Sequence, residues 1–190
     1  MSLLEIIFTP LGWLLRGKRA GEERSIGHAP QLASDVSIAL SSPAFTPGES
    51  IPAAYRRRGL GDNISPALTW SGPPAGTAQL LLVMEDVDVP FSHPGLHLIA
   101  LLDVGATGVT EGALNDGAPK VRFVPDRRGR TGYIGPRPLP GHGVHRYRFH
   151  LYAIEEAIPA TRRLTGFEDV LAAVDGHVLA HGRLEGVRRS

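Results

Sequence analysis

Gly132-Tyr133-Ile134-Gly135-Pro136-Arg137-Pro138-Leu139-Pro140-Gly141-His142-Gly143-Val144-His145-Arg146-Tyr147-Arg148-Phe149-His150-Leu151-Tyr152 is the stretch whose reading decides the fold. Its first half is crowded with Gly and Pro, which excludes a helix and a central strand and describes a stiff loop. Its second half alternates, with His145, Tyr147, Phe149 and Leu151 on one face and Arg146, Arg148, His150 and Tyr152 on the other. That pattern predicts a half-buried strand whose inward face starts with a histidine and a tyrosine. A rigid loop that feeds polar groups into the end of an apolar strand is a setting for a small binding site.

Working outward, the same grammar repeats. Val36–Leu40 and Ala67–Trp70 read as short strands bounded by turn residues. Leu80-Leu81-Leu82-Val83-Met84 is a continuous apolar run, expected of a strand covered on both faces, and it ends in Glu85-Asp86-Val87-Asp88-Val89-Pro90. Leu96–Asp103 is a second such run, interrupted only by His97. Weak strands follow near Val109 and Val121–Val124. Phe167, Val170, Leu171, Val174, Val178 and Leu179 recur at helical spacing after a Thr165–Glu168 capping box, so a helix is predicted up to Gly182 and a last strand over Arg183–Val187. Short strands in series, with 23 glycines and 16 prolines between them and one or two peripheral helices, describe a mainly β protein, an antiparallel β-sandwich.

Residues 1–34 read differently. Thr9-Pro10 looks like an N-cap and first helical residue, which predicts a short amphipathic helix over about Pro10–Arg16, greasy at Leu11, Trp13, Leu14 and Leu15. Gly17–Ser34 is polar and turn-rich, a linker, and the folded body is expected over residues 35–190. The apolar segment is too short to cross a membrane and lacks a signal-peptide layout, with Glu5 where positive charge belongs. It is expected to dock on the body itself or on the twin subunit of a homodimer, in preference to a membrane surface.

Composition excludes several chemistries. The chain holds 20 Lys and Arg against 19 Asp and Glu and has no cysteine. Disulfides, thiolate metal sites and cysteine nucleophiles are therefore absent, and neither overall charge nor motif suggests nucleic-acid binding. The cysteine-free composition fits a cytoplasmic protein. Arg56-Arg57-Arg58 reads as solvated surface in preference to an anion contact. Ser65 and Ser71 lie outside any nucleophile-elbow pattern.

What remains is a constellation: Asp86 with Asp88, His97, the Gly-Pro loop, and His145 with Tyr147. Carboxylates beside imidazoles raise histidine pKa values, and cationic histidines together with loop N–H groups suit an anion. The aspartates would act from behind, orienting the histidines. If the strand continues past Asp86, Asp88 shares its face, roughly 7 Å along. The alternative is a metal-dependent hydrolase built on Asp86, Asp88, His97 and His145. His177 and His181, four apart on the predicted helix, have metal-compatible spacing but no accompanying carboxylate signature.

These residues carry a family resemblance. Asp86-Val87-Asp88-Val89-Pro90 followed by Leu96-His97, and Gly135-Pro136-Arg137-Pro138-Leu139-Pro140-Gly141 followed by His145-Arg146-Tyr147, resemble the two signature regions of the phosphatidylethanolamine-binding proteins, which include the Raf kinase inhibitor protein. Asn63-Ile64-Ser65-Pro66 with Trp70, and Gly176-His177-Val178-Leu179, resemble its bacterial YbhB/YbcL-like branch. The resemblance spans roughly Val36–Val187. It implies a Greek-key β-sandwich, a non-catalytic binding or regulatory role, no cofactor, and a pocket for a phosphate-like or phosphoethanolamine-like anion. Occupancy of that pocket would modulate a protein partner. The resemblance assigns Asp86, Asp88, Pro90, His97, Gly135, His145 and Tyr147 to the pocket. Val87 and Val89 replace the family's Pro and Ala, Leu139 interrupts its Pro-Pro pair, and Gly95 stands where some relatives carry an aromatic. The rim is expected to differ accordingly.

Overall fold

The structure, a computed structural model, describes residues 3–190, with side chains from Ile7 onward. In chain order it contains α1 (Leu3–Leu14), β1 (Leu40–Ser41), β2 (Leu68–Trp70), β3 (Gln79–Asp86), β4 (Gly95–Asp103), β5 (Gly108–Val109), β6 (Arg122–Phe123), β7 (Val144–Ile154), α2 (Phe167–Val174) and β8 (Val178–Arg189). The strands form two antiparallel sheets, β1-β2-β5 and β6-β4-β3-β7-β8. The expected mainly β sandwich with two peripheral helices is the fold observed.

Alternation along the three central strands explains both cores. Leu80, Leu82 and Met84 of β3, Leu98, Ala100 and Leu102 of β4, and Tyr147, Phe149 and Leu151 of β7 point between the sheets, against Leu68 and Trp70 of β2. Leu81, Val83, Ile99, Leu101, Tyr152 and Ile154 point the other way, where Val170 and Val174 of α2 and Ile26 and Leu32 cover them. A continuous apolar run is thus two interleaved half-cores. Each buried leucine is worth about 1.5–3 kcal/mol relative to exposure.

β7 departs from expectation. It is a central strand covered on both faces, and Arg148 and His150 on its outward side are 3% and 1% exposed. The cover is the segment read as a linker. Residues 17–34 run across β7 as short 3₁₀ turns, with Ala20, Ile26 and Leu32 buried. Glu22 accepts from the Arg148 guanidinium at 2.6 and 2.5 Å, and Glu185 accepts from Arg148 Nε at 2.7 Å. Desolvation would lower the Arg148 pKa, but its two carboxylate partners more than reverse this and raise it. Glu85 accepts from Ser25 Oγ at 2.5 Å and from the Ile26 N–H at 3.0 Å, and it lies 2.9 Å from His150 Nε2.

Both helices differ in extent from the sequence reading. α1 begins upstream at Leu3 and carries Pro10 inside it instead of at its start. The leucine- and isoleucine-rich residues ahead of Thr9 continue the helix, and Pro10 costs it one backbone donor. Met1 and Ser2 lie outside the described residues. α2 stops at Val174, because Gly176 adopts φ +79° and such a left-handed residue terminates a helix. Val178, Leu179 and His181 belong to β8, so His177 and His181 do not share a helical face.

Candidate functional site

β3, β4 and β7 lie side by side, with Asp86 opposite Gly95 on one side and Tyr147 on the other. The carboxylate at the end of β3, His97 near the start of β4, and His145 and Tyr147 at the start of β7 therefore meet at one end of the sheet. His145 Nδ1 lies 2.8 Å from Asp86 Oδ2. The Tyr147 ring stacks on His145 at a centroid distance of 6.4 Å and meets His97 edge-on at 5.3 Å. Asp86, His145 and Tyr147 are nearly inaccessible, at 2%, 1% and 0%.

The histidines form an ordered chain. His142 Nδ1 is 2.7 Å from His145 Nε2, while His142 Nε2 sits 2.8 Å from the Leu15 carbonyl and 3.0 Å from that of Lys18. Carbonyls only accept, so His142 Nε2 carries the hydrogen. Burial pushes the His142 pKa down. The His145 Nδ1–H donates to the Asp86 carboxylate, and the short His142–His145 contact continues the chain toward the turn after α1. His142, whose place in a Gly-rich loop suggests exposure, is 1% exposed. Its partners, the Leu15 and Lys18 carbonyls in the turn after α1, give no local signal.

His97 is half-buried. Its Nδ1 donates to the Ile134 carbonyl at 2.6 Å. Burial lowers its pKa and outweighs the nearby Asp86 carboxylate. The Tyr147 hydroxyl is buried near the Asp86 carboxylate and the Arg137 backbone, with no hydrogen bond of ordinary geometry among the described residues. Its pKa is raised well above 10, first by burial and then by the Asp86 charge.

Asp88 goes elsewhere. β3 ends at Asp86, and Asp88 turns so that its N–H donates to Asp86 Oδ1 at 2.9 Å. Its carboxylate accepts from the Arg146 N–H, Nε and Nη2 at 2.8, 2.8 and 2.9 Å, and from Arg19 at 2.8 Å. Burial alone would raise the Asp88 pKa, but these donors hold it at about 2. The two aspartates therefore do not act as a pair on one face. Among the described residues no group of three or more His, Asp or Glu is placed to hold a metal ion, so the hydrolase cluster does not assemble.

Two cavities open around this end. One, of about 790 Å³, is lined by His97, Gly135, Ile134 and Gly95 together with Arg57, Arg128, Arg130 and Arg137. A Cβ at Gly95 would stand 3.2 Å from Val89 Cγ1 and 3.8 Å from His97 Nε2, so the wall is close-packed there. Gly135 donates its N–H to Asn63 Oδ1 at 2.8 Å, and a Cβ there would collide with the Tyr55 carbonyl and the Arg57 backbone. Arg130 is paired with Asp126. Arg57 has no acidic partner among the described residues, and its pKa is lowered by desolvation and by Arg130, Arg137 and Arg128. The second cavity, of about 860 Å³, is lined by Pro90, His145, the Gly-Pro loop and α1. The sequence reading placed Arg57 on solvated surface, because a run of three arginines carries no hint of which one faces a cavity.

This is a two-sheet β-sandwich with an acid–histidine–tyrosine cluster at one sheet end. A family model described as Phosphatidylethanolamine-binding protein matches residues 41–189. A UPF0098 protein of Methanothermobacter thermautotrophicus is 37% identical over 155 residues, covering 79% of this chain and 97% of the relative. A UPF0098 protein of Pyrococcus horikoshii is 31% identical over 193 residues, covering 98% and 88%. Among solved structures, a phosphatidylethanolamine-binding protein homolog from Chlamydia trachomatis superposes with TM-score 0.71 at 30% identity, covering 81% of this chain and 98% of that one. Escherichia coli YbcL, at 22% identity, shares the fold with TM-score 0.73 over 82% and 99% of the two chains. The chain belongs to the phosphatidylethanolamine-binding protein family, in its bacterial and archaeal UPF0098 branch. No described helix is long and apolar enough to cross a membrane.

Proposed function

We propose that the protein binds a small phosphoryl-type anion in the cavity over His97 and Gly135 and acts without catalysis, as a binding or regulatory protein. Family membership supports the general binding role. The observation that carries the anion reading is that Arg57 and Arg137 face this cavity without acidic partners among the described residues. Of the acidic residues in the same lining, Glu23, Asp126 and Glu168, the last two pair with Arg130 and Arg127. Guanidinium groups outside ion pairs beside a partly desolvated histidine favour a bidentate oxyanion. The buried Tyr147 ring packs edge-on against His97 and backs the histidine that lines the cavity. Neutral His97 would accept at Nε2 from a protonated phosphoryl oxygen. Asp86 holds His145, while Asp88 anchors Arg146 and Arg19. In this reading residues 35–190 form the binding domain and residues 1–34 its cover, and a cytoplasmic protein partner would read the occupied state. Calorimetric titration with inorganic phosphate and phosphoethanolamine tests it, and separates free phosphate from a headgroup as source. Binding of either with loss on Arg57→Gln is expected. Heats absent for both would overturn the reading.

A further inference from the structure

Successive residues on a helix turn by about 100°, so Thr9 and Gly12 fall on one side of α1, with Arg16 in the turn just past its end, and Ile7, Leu11 and Leu14 fall on the opposite side. The first side is docked. A Cβ on Gly12 would strike the Pro140 carbonyl, Gly141 lies against Thr9 and Trp13, and Arg16 Nε donates to the Gly141 carbonyl at 2.7 Å. The second side is bare, with Ile7, Leu11 and Leu14 exposed by 59%, 42% and 80%. Phe8 and Trp13 flank it at 42% and 58%, and Phe91, at 63%, lines the same cavity as Phe8, Leu11 and Trp13. Six of the eight large exposed apolar side chains of the described residues thus gather at one end of the molecule. A concentration of this kind marks an interaction surface.

Charge selects the occupant. Among the described residues, the charged ones lining the adjoining cavity are Arg16, Arg137, Arg188 and Arg189, with no Asp or Glu. A second copy docked by a two-fold axis would bring this cationic rim against its own image. A lipid surface with anionic headgroups complements both the rim and the apolar face, and Trp13, with the Arg16 guanidinium 5.9 Å from its ring centre, suits the headgroup boundary. A twelve-residue helix reaches about 18 Å against a hydrocarbon core of about 30 Å, so α1 lies in the interface and does not span it.

We infer that the outward face of α1, with Phe91 and the surrounding arginines, docks the protein on an anionic membrane surface. The test uses the full chain with vesicles of phosphatidylcholine alone or mixed with phosphatidylglycerol. Trp70 is buried in the core, so an emission shift reports Trp13. A blue shift and co-sedimentation are expected with the mixed vesicles, weakened by high salt and absent with phosphatidylcholine alone. The Ile7→Glu/Leu14→Glu variant alters only exposed positions. It should partition about tenfold more weakly or worse, with the near-ultraviolet dichroism of the core unchanged. No shift on anionic vesicles at low salt, or equal partition of the variant, overturns the inference. So does a concentration-dependent doubling of light-scattering mass that the variant abolishes, since a second copy would then occupy the face.

Discussion

His142 stands between the site and the first helix: its Nδ1 is 2.7 Å from His145 Nε2, and its Nε2 bonds the carbonyls of Leu15 and Lys18. Those carbonyls lie in the turn that follows α1, and a histidine of the Gly-Pro loop supplies both with a donor. His142→Ala removes that donor and leaves His145 Nε2 unpaired. A loss of about 1–3 kcal/mol in urea unfolding is expected, with faster hydrogen exchange at the end of α1. Unchanged stability would show that the chain is not made.

The same residue sets a pH dependence. Burial lowers the His142 pKa below its ordinary 6.5, so the unfolded chain takes up a proton more readily than the folded one. Its contribution is therefore fully present above about pH 6.5 and is lost as pH falls through the folded value. Acidification should release α1 before the sandwich unfolds. Exchange rates of α1 and β7 amides, compared across the acid range, check this; equal acid sensitivity of both would contradict it.

The anion reading predicts that phosphate shifts the histidine NMR signals of His97 and His145. His145→Ala should abolish the shift, because Tyr147 and Asp86 lose the ring that positions them. Arg57→Gln should weaken binding about tenfold or more, as befits one charge-assisted hydrogen bond. An identical response in wild type and both variants would place the anion elsewhere.

Much of this arrangement is legible in the chain. The runs Leu80–Met84 and Leu98–Leu102 announce strands buried on both faces, and the Gly-Pro loop with His145 and Tyr147 announces the cluster. What is hidden depends on partners far away in sequence. Glu22, Arg19 and Ser25 look like linker polarity until the arginines of β7 and the carboxylates of Glu85 and Asp88 lie opposite them. Val178 and Leu179 fit a helical period by coincidence, and only the positive φ of Gly176 hands them to β8. Asp88 looks equivalent to Asp86 until the strand ends between them.

Asp88 ties the covering segment to β7 and should be felt as stability, not as anion affinity. Its pKa falls from 3.8 to about 2, so its contribution is present above pH 3.8 and is lost as pH drops through the folded value. The shift corresponds to about 2 kcal/mol. Asp88→Asn should lower stability by about that amount at neutral pH and differ little from wild type near pH 2. Phosphate binding that fails while stability is preserved would instead assign Asp88 to the pocket.

Gly12 offers a test in which two effects have opposite signs. In an exposed helix, Gly→Ala stabilises by up to about 1 kcal/mol, because alanine loses less backbone freedom. At this position the new methyl meets the Pro140 carbonyl, a backbone atom held in a proline-rich loop that cannot give way cheaply. Steric exclusion should win. Gly12→Ala is expected to undock α1, break the Arg16–Gly141 bond and expose residues 15–20 to proteolysis, while the paired strands β3, β4 and β7 keep their exchange protection. The same cleavage pattern should appear in His142→Ala, since both changes act on the one seam between helix and loop. If Gly12→Ala raised stability and slowed cleavage, helix propensity would have outweighed the clash, and the close seating of α1 on Pro140 would be wrong.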